Sequence, residues 1–260
     1  MKKLFAMMLA VIMTMSLFAG CGAEKADSDL AYIQDKGTLI VGITEYEPMD
    51  YKDADGNWIG FDADLANLVA KELGVKAEFQ VLADWGQKFF ELDSKNIDVV
   101  WNGMTITEEA KLNTNVTKPY AINAQVVVID ASIADNISAA DNLKGLKFAV
   151  ESGSAGEATI KGLGVTDIVA VQDQPAAIME VAAGTADACV IDITLANAMT
   201  GEGTAYPDLA IAQRLNEEQY GIGFRKDSDV TAKVNEILDQ FTADGTLAAL
   251  AETYGLALAD

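Results

Sequence analysis

Residues 147–192 read KFAVESGSAGEATIKGLGVTDIVAVQDQPAAIMEVAAGTADACVID, and their hydrophobic pattern indicates the fold class. Three short apolar runs predict buried strands: Lys147 to Val150, Ile168 to Val171 and Ala188 to Ile191. Helices are predicted between them, one after Gly153 and one over Pro175 to Ala183. Strands that alternate with helices at this spacing indicate an α/β protein with mainly parallel sheets flanked by helices.

The same alternation extends outward in both directions. Further strands are predicted over Thr38 to Thr44, Val75 to Leu82, Asp98 to Trp101 and Gln125 to Ile129. Further helices are predicted from Asp62, as N-cap, to a stop at Gly74, over Trp85 to Leu92, and at the end over Asp229 to Ala243 and Thr246 to Tyr254. The Asp55-Gly56 pair predicts a hairpin turn.

Composition excludes several functions. The chain has 260 residues, 40 Asp plus Glu, 18 Lys plus Arg, no His and a formal charge of −22. Without His there is no Ser-His-Asp or Cys-His catalysis and no imidazole metal site. Nucleic acid is excluded as a partner because phosphate binding needs clustered basic residues. With half of its residues apolar, the chain can form a substantial core.

The N-terminus predicts export. Lys2 and Lys3 precede the uncharged run Leu4 to Phe18, which is too short to span a membrane but suits a secretory signal. Ala19-Gly20-Cys21 then resembles a bacterial lipobox, which implies cleavage after residue 20 and lipid attachment at Cys21. The alternative is an ordinary signal peptide, which would release a free protein.

The segment that follows is predicted to be a tether. Gly22 to Asp29 is small and polar, so residues 21–37 are assigned to the lipidated cysteine and a flexible connection to the first strand. Cys189 lies in an apolar run and is predicted to be a buried core residue.

Several sequence blocks resemble one family. They are similar, in order, to motifs of the solute-binding proteins of polar amino-acid ABC transporters: Gly60-Phe61-Asp62-Ala63-Asp64-Leu65, Trp101 to Glu109, Pro119-Tyr120, Val150 to Ser154, Ala186 to Asp192, and Tyr220 to Phe224. The resemblance implies the two-lobed, type II periplasmic-binding-protein fold. Lobe 1 would comprise residues 38–119 and 224–260, lobe 2 residues 125–218, and residues 120–124 and 219–223 would form two hinge strands.

The resemblance also implies ligand-binding residues in the first lobe. Tyr46 and Trp85 fall where the family sandwiches its ligand between aromatic rings, and Trp101 would line the floor, although each could instead pack in the core. Gly103 would let ligand approach the backbone, and Thr105 would offer a hydroxyl and an N–H.

In the second lobe the predicted ligand contacts follow two strands. Gly153 and Ser154 open a helix, whose N-terminus suits a carboxylate or is simply capped by these residues. Asp192 occupies the family position that accepts the ligand's α-ammonium, or else caps the helix begun by Thr194. Glu151 adds a second acid near the predicted cleft.

The sequence departs from the family at Ala110, where members typically carry a carboxylate-binding Arg. Three explanations stay open: Lys111 substitutes for it, the ligand has no free α-carboxylate, or the protein no longer binds amino acids. With Asp192 and Glu151, the missing Arg makes the predicted pocket more anionic. We therefore expect a ligand more cationic than glutamine or glutamate.

Together these features predict a monomeric, membrane-anchored binder without cofactor or metal. It would close on an amino acid or amine and deliver it to an ABC permease. The alternatives are a sensory or degenerate binding module and a dehydratase-like enzyme on the same fold, with Glu151 or Asp192 as acid or base.

Overall fold

A computed structural model describes residues 28–137 and 143–260. The predicted signal peptide, Cys21 and the first part of the tether lie outside these residues. None of the helices within the described ranges is long and apolar enough to cross a membrane.

Helices and strands alternate along most of the chain. The helices are α1 Asp29–Lys36, α2 Phe61–Glu72, α3 Lys88–Asp93, α4 Glu108–Asn113, α5 Ala155–Gly162, α6 Gln174–Ala182, α7 Ile193–Met199, α8 Val230–Ala243 and α9 Thr246–Tyr254. The strands are β1 Thr38–Ile43, β2 Tyr51–Lys52, β3 Trp58–Ile59, β4 Lys76–Val81, β5 Val99–Val100, β6 Asn115–Val116, β7 Ala121–Asn123, β8 Gln125–Asp130, β9 Phe148–Glu151, β10 Ile168–Val171, β11 Ala188–Asp192, β12 Leu209–Arg214, β13 Glu218–Tyr220 and β14 Gly223–Phe224. Short 3-10 turns lie at Trp85–Gln87 and Ala134–Asn136.

Two five-stranded sheets organise the molecule into two lobes. The first sheet has the order β4-β1-β5-β14-β6 and the second the order β10-β9-β11-β8-β12. We call the first sheet with its helices lobe 1 and the second lobe 2. In each sheet two neighbouring pairs are parallel and two are antiparallel. The sheets are therefore mixed rather than mainly parallel, because β14 and β8 return in the opposite direction.

Two short strands lie between the sheets along the chain. β7 leads from the first sheet into the second and β13 leads back, and the two pair antiparallel with Gln219 opposite Ile122. The C-terminal tail joins them, since Ile122 N–H donates to the carbonyl of Ala257 over 2.9 Å. β7 lies within the predicted hinge segment 120–124, and β13 overlaps the predicted segment 219–223 at Gln219 and Tyr220, whereas their role as a hinge stays a prediction.

Residues 29–36 form helix α1 and are not part of the flexible tether that the sequence had predicted. Ser28 caps α1, Ile33 is fully buried, and Arg225 donates to Asp29 at 3.0 Å. This segment was assigned to the tether because it lies between the polar stretch Gly22 to Asp29 and the first predicted strand. Contacts with residues distant in sequence fix it against lobe 1: Leu30 N–H donates to Asp229 Oδ1 at 2.9 Å, and Gln34 Nε2 donates to the carbonyl of Leu73 at 3.0 Å.

Asp62 is not the helix cap that the sequence predicted. Helix α2 begins at Phe61 after Gly60, and the Asp62 side chain is fully buried. Its Oδ2 accepts hydrogen bonds from Gly103 N–H at 2.6 Å and Tyr120 Oη at 2.9 Å. Asp62 thus links α2 to the loop that borders the cleft. Cys189 is fully buried in β11, as predicted.

Candidate functional site

A cavity of about 300 Å³ lies between the lobes. Lobe 1 contributes the loop before α3, the segment after β5 and the start of α4, whereas lobe 2 contributes the ends of β9 and β11 and the start of α5. Seven predicted site residues line it: Trp85, Gly103, Thr105, Glu151, Gly153, Ser154 and Asp192. The structure thus brings most of the predicted residues of both lobes to one cavity.

Asp192 lies in a cradle of side-chain amides. Gln125 Nε2 donates to Asp192 Oδ1 at 2.6 Å, and the amides of Asn123 and Gln174 also donate to the carboxylate. Gln174 accepts in return from Asp192 N–H at 2.8 Å, which fixes the orientation of its amide. The side chain does not cap α7, so the alternative capping role is not supported. Burial, and then the charge of Glu218, raise the pKa of Asp192 to about 7.

Glu218 is a neighbouring acid that the sequence did not single out. Its Oε1 accepts from Thr105 Oγ1 at 2.9 Å, and from the amides of Asn123 and Gln125, each at 2.7 Å. Two carboxylates therefore share the same amide donors. The hydroxyl of Thr105 is directed to Glu218, although the residue borders the cavity as predicted.

Glu151 lies at the end of β9 and is 3% exposed. Burial raises its pKa from 4.5 to about 8, and the charge of Asp192 acts in the same direction. Thr44 Oγ1 of lobe 1 lies within hydrogen-bond distance of its Oε1, at 3.0 Å. This buried acid therefore contacts both the cavity and the opposite lobe.

Lys88 is a cavity residue that sequence analysis missed. It is 6% exposed, and its ammonium donates to the carbonyls of Trp85 at 3.2 Å and Gly153 at 3.0 Å. It lies 4.9 Å from the centre of the Trp85 ring and 4.8 Å from that of Phe89. Among the described lining residues it alone is basic, whereas four are acidic: Glu108, Glu109, Glu151 and Asp192.

Gly153 and Ser154 hold the start of α5. Ser154 Oγ accepts from Glu157 N–H at 3.0 Å, and Glu157 Oε2 accepts from Gly153 N–H at 2.9 Å. The capping role that the sequence left open for Ser154 is therefore confirmed. Gly153 has φ +68°, and a Cβ there would lie 2.3 Å from Gly86 Cα, so the lobes meet at these two glycines.

Tyr46 and Trp101 do not line the cavity. Tyr46 is buried behind Gly103, where its hydroxyl contacts Thr194 of lobe 2 and lies 2.5 Å from that of Tyr220. Trp101 is fully buried. The structure thus favours a packing role for both rings, which was the alternative considered from sequence.

Position 110 borders the cavity, but Lys111 does not. Ala110 is 1% exposed and follows the capped start of α4. The Lys111 ammonium instead binds Glu108 Oε1 at 2.8 Å, with its side chain 54% exposed. Lys111 therefore does not substitute for the missing Arg in this arrangement.

Comparison with known proteins identifies the family. Residues 39–257 match the sequence profile of the bacterial extracellular solute-binding proteins, family 3. The chain belongs to this family. The resemblance found in the sequence blocks is therefore confirmed.

Individual relatives agree with this assignment. This solute-binding protein is 30% identical to the L-cystine-binding protein TcyJ of Escherichia coli (strain K12), over 94% of its own chain and 92% of the relative. It is 31% identical to the lysine/arginine/ornithine-binding periplasmic protein of Escherichia coli (strain K12), over 94% of its own chain and 95% of the relative. An ancestral arginine-binding protein bound to arginine is a structural neighbour, with a TM-score of 0.78 and 34% identity. The match covers 84% of this chain and 98% of the neighbour. The two-lobed fold is confirmed by this likeness.

Proposed function

We propose that this solute-binding protein captures an amino acid with a cationic side chain, or a related amine, and delivers it to an ABC permease. The observation that carries the proposal is the buried Asp192 carboxylate, held by three amides at the edge of an interlobe cavity. An ammonium group is the natural partner of such a carboxylate, since it supplies charge and up to three donors. The excess of acids in the lining favours a ligand with a further positive charge.

Cleft closure is the proposed means of capture. Ligand contacts from both lobes would stabilise the closed form over the open one, which is how binding shifts such an equilibrium. The contacts Thr44–Glu151 and Lys88–Gly153 are the kind that form on closure, since each joins lobe 1 to lobe 2. β7 and β13 would act as the hinge.

Calorimetry tests the ligand class. We expect L-lysine, L-arginine or L-histidine to bind with clear heat, and L-glutamate and L-aspartate to bind weakly or not at all. Small-angle scattering with the bound ligand should show a smaller radius of gyration. Tight binding of glutamate or aspartate would contradict the proposed charge preference.

The proposed location is the outer face of the cell membrane, with lipid attached at Cys21. The uncharged run Leu4 to Phe18 followed by Ala19-Gly20-Cys21 supports this. Removal of residues 1–20 takes two lysines and no acid, so the formal charge changes from −22 to −24. In cells, Cys21→Ala should move the protein from the membrane fraction to the soluble fraction.

We propose binding without chemistry. Asp192 and Glu151 are buried acids of the kind that can transfer protons, but the arrangement of amides around Asp192 suits a fixed acceptor. Bound amino acid recovered unchanged after long incubation would support this. Its conversion would favour the dehydratase-like alternative.

A further inference from the structure

Lys88 is a buried cation that points into the cavity. Its ammonium is held by one carbonyl from each lobe, those of Trp85 and Gly153, and by the faces of two aromatic rings. An ammonium has three N–H donors, and these contacts use two. The third donor is available to a ligand in the cavity that Lys88 lines.

This cation has no carboxylate partner within ion-pair distance in the described part of the chain. The ion pairs there involve other basic residues: Lys36, Lys111, Lys118, Lys161, Arg214, Arg225 and Lys233. Glu109, Glu151 and Asp84 act on Lys88 only through longer-range attraction, and burial lowers its pKa. A buried charge without a counter-ion is costly, so its retention at the cavity suggests that an anionic group of a ligand completes it.

Among the buried charged groups of the lining, the cation and the acids come from different lobes. Lys88 comes from lobe 1, whereas Glu151 and Asp192 come from lobe 2. A ligand with both a carboxylate and an ammonium can therefore bridge the lobes with one charge on each side. A decarboxylated amine can satisfy only Asp192.

We propose that Lys88 is the specificity-determining residue that binds the ligand's carboxylate, so that the protein selects amino acids over their decarboxylated amines. This assignment rests on the proposed function, because it concerns the same cavity. Lys88 takes the role that the family gives to Arg at position 110, but from a different helix. Its compact ammonium suits one carboxylate oxygen rather than a two-point contact.

The test compares three pairs of ligands by calorimetry: L-lysine with cadaverine, L-arginine with agmatine, and L-histidine with histamine. In the wild-type protein we expect the binding amino acid to have an affinity about 10- to 100-fold above that of its amine, as a charge-assisted hydrogen bond supplies. Lys88→Met keeps an unbranched side chain only one heavy atom shorter and removes the charge. It should bring this ratio close to one, while Lys88→Arg should keep most of it.

The ratio of the affinity for the amino acid to that for its amine distinguishes carboxylate binding by Lys88 from a purely structural role. Lys88→Met also removes the contact with Gly153, but a weaker closed form lowers both affinities equally and leaves their ratio unchanged. Lys71→Met, an exposed position on α2 outside the cavity, is the matched control and should leave the ratio as in the wild type. Thermal unfolding of each variant checks that it is folded.

The possible results are distinct. An unchanged ratio in folded Lys88→Met, or an amine that binds the wild type as tightly as its amino acid, would overturn the role of Lys88 and leave the proposed function intact. If no compound of the panel binds the wild type, the proposed function itself fails, and the assignment of Lys88 fails with it.

Discussion

Thr44 Oγ1 lies 3.0 Å from Glu151 Oε1 across the cleft and 2.9 Å from Asn102 Oδ1 within its own lobe. A hydroxyl has a single proton and can donate to only one of these two oxygens. The second contact is satisfied when Glu151 itself is protonated and donates to Thr44. This agrees with the pKa of about 8 that burial gives to Glu151.

A first prediction concerns stability against pH. Because the pKa of Glu151 rises from 4.5 to about 8 on folding, the folded state holds a proton that the unfolded state has lost between these values. Protonated Glu151 therefore makes its full contribution to the free energy of unfolding below about pH 4.5. This contribution is lost as the pH rises through 8. In Glu151→Gln, the fall in the free energy of unfolding between pH 5 and 8 should lessen by up to about 1.4 kcal/mol per pH unit.

Urea denaturation at intervals across this range measures that slope. Glu72→Gln, an exposed position on α2, is the control and should follow the wild type. The same slope in Glu151→Gln as in the wild type would show that Glu151 is ionised at neutral pH.

A second prediction concerns Asp192. Asp192→Asn removes the charge and places an amide donor among the donors of Asn123, Gln125 and Gln174. Affinity for the bound amino acid should fall roughly 10- to 100-fold, since a charge-assisted hydrogen bond is lost.

Glu108→Gln makes the same charge change at an exposed acid of the lining, so it is the matched control. Calorimetry should show a much smaller loss there. Equal losses in both variants would indicate that only the overall charge of the cleft matters.

A third prediction concerns the contact between glycines. In Gly153→Ala the new Cβ would lie 2.3 Å from Gly86 Cα, so the lobes could not approach as they do here. We expect ligand to cause less compaction in small-angle scattering and affinity to fall by at least about tenfold, equivalent to ~1.4 kcal/mol.

Gly184→Ala provides the comparison because Gly184 also has a positive φ, of +72°, but nothing lies within 4 Å of its Cβ position. Gly184→Ala has the same unfavourable positive φ but does not obstruct closure. If Gly153→Ala closes on ligand like Gly184→Ala, the glycine contact does not limit closure.

A fourth prediction concerns position 110. Ala110→Arg places a guanidinium in the cavity lining, where it can bind a carboxylate at two points. It should raise affinity for ordinary α-amino acids. In the Lys88→Met background it should also restore about tenfold of the preference for an amino acid over its amine. Calorimetry with L-lysine and cadaverine measures both effects, and no gain in either background would show that the cavity differs from the family beyond this residue.

Local patterns were sufficient for most of the fold. The strand Ile168–Val171 and the helix Thr246–Tyr254 agree with their predicted bounds because each has a clear apolar pattern between turn residues. β6 and β14 were not predicted because each has two residues and no periodicity of its own. The mixed direction of the sheets was likewise missed, since strand direction is set by the path of the chain rather than by local composition.

Some residues of the candidate site could likewise be found from the sequence, and others could not. Asp192 and Glu151 were found because both lie in sequence blocks that resemble the family, and each directly follows a predicted apolar strand. Lys88 and Glu218 were not found, because a lysine on a short helix and a glutamate at the start of a three-residue strand have no distinctive pattern. Lys88 contacts Gly153, which lies 65 positions away along the chain, and Glu218 contacts Asn123, which lies 95 positions away. Their roles depend on these contacts.

The sequence by itself therefore determined the α/β class, the order of the elements, the family and the acids at the strand ends, because these follow from local periodicity and short motifs. Only the tertiary structure decided that α1 packs on lobe 1, that Tyr46 lies behind the cavity, and that Lys88 faces into it. These depend on which distant segments meet and on how deeply each charge is buried. Neither property is encoded in the spacing of residues along the chain.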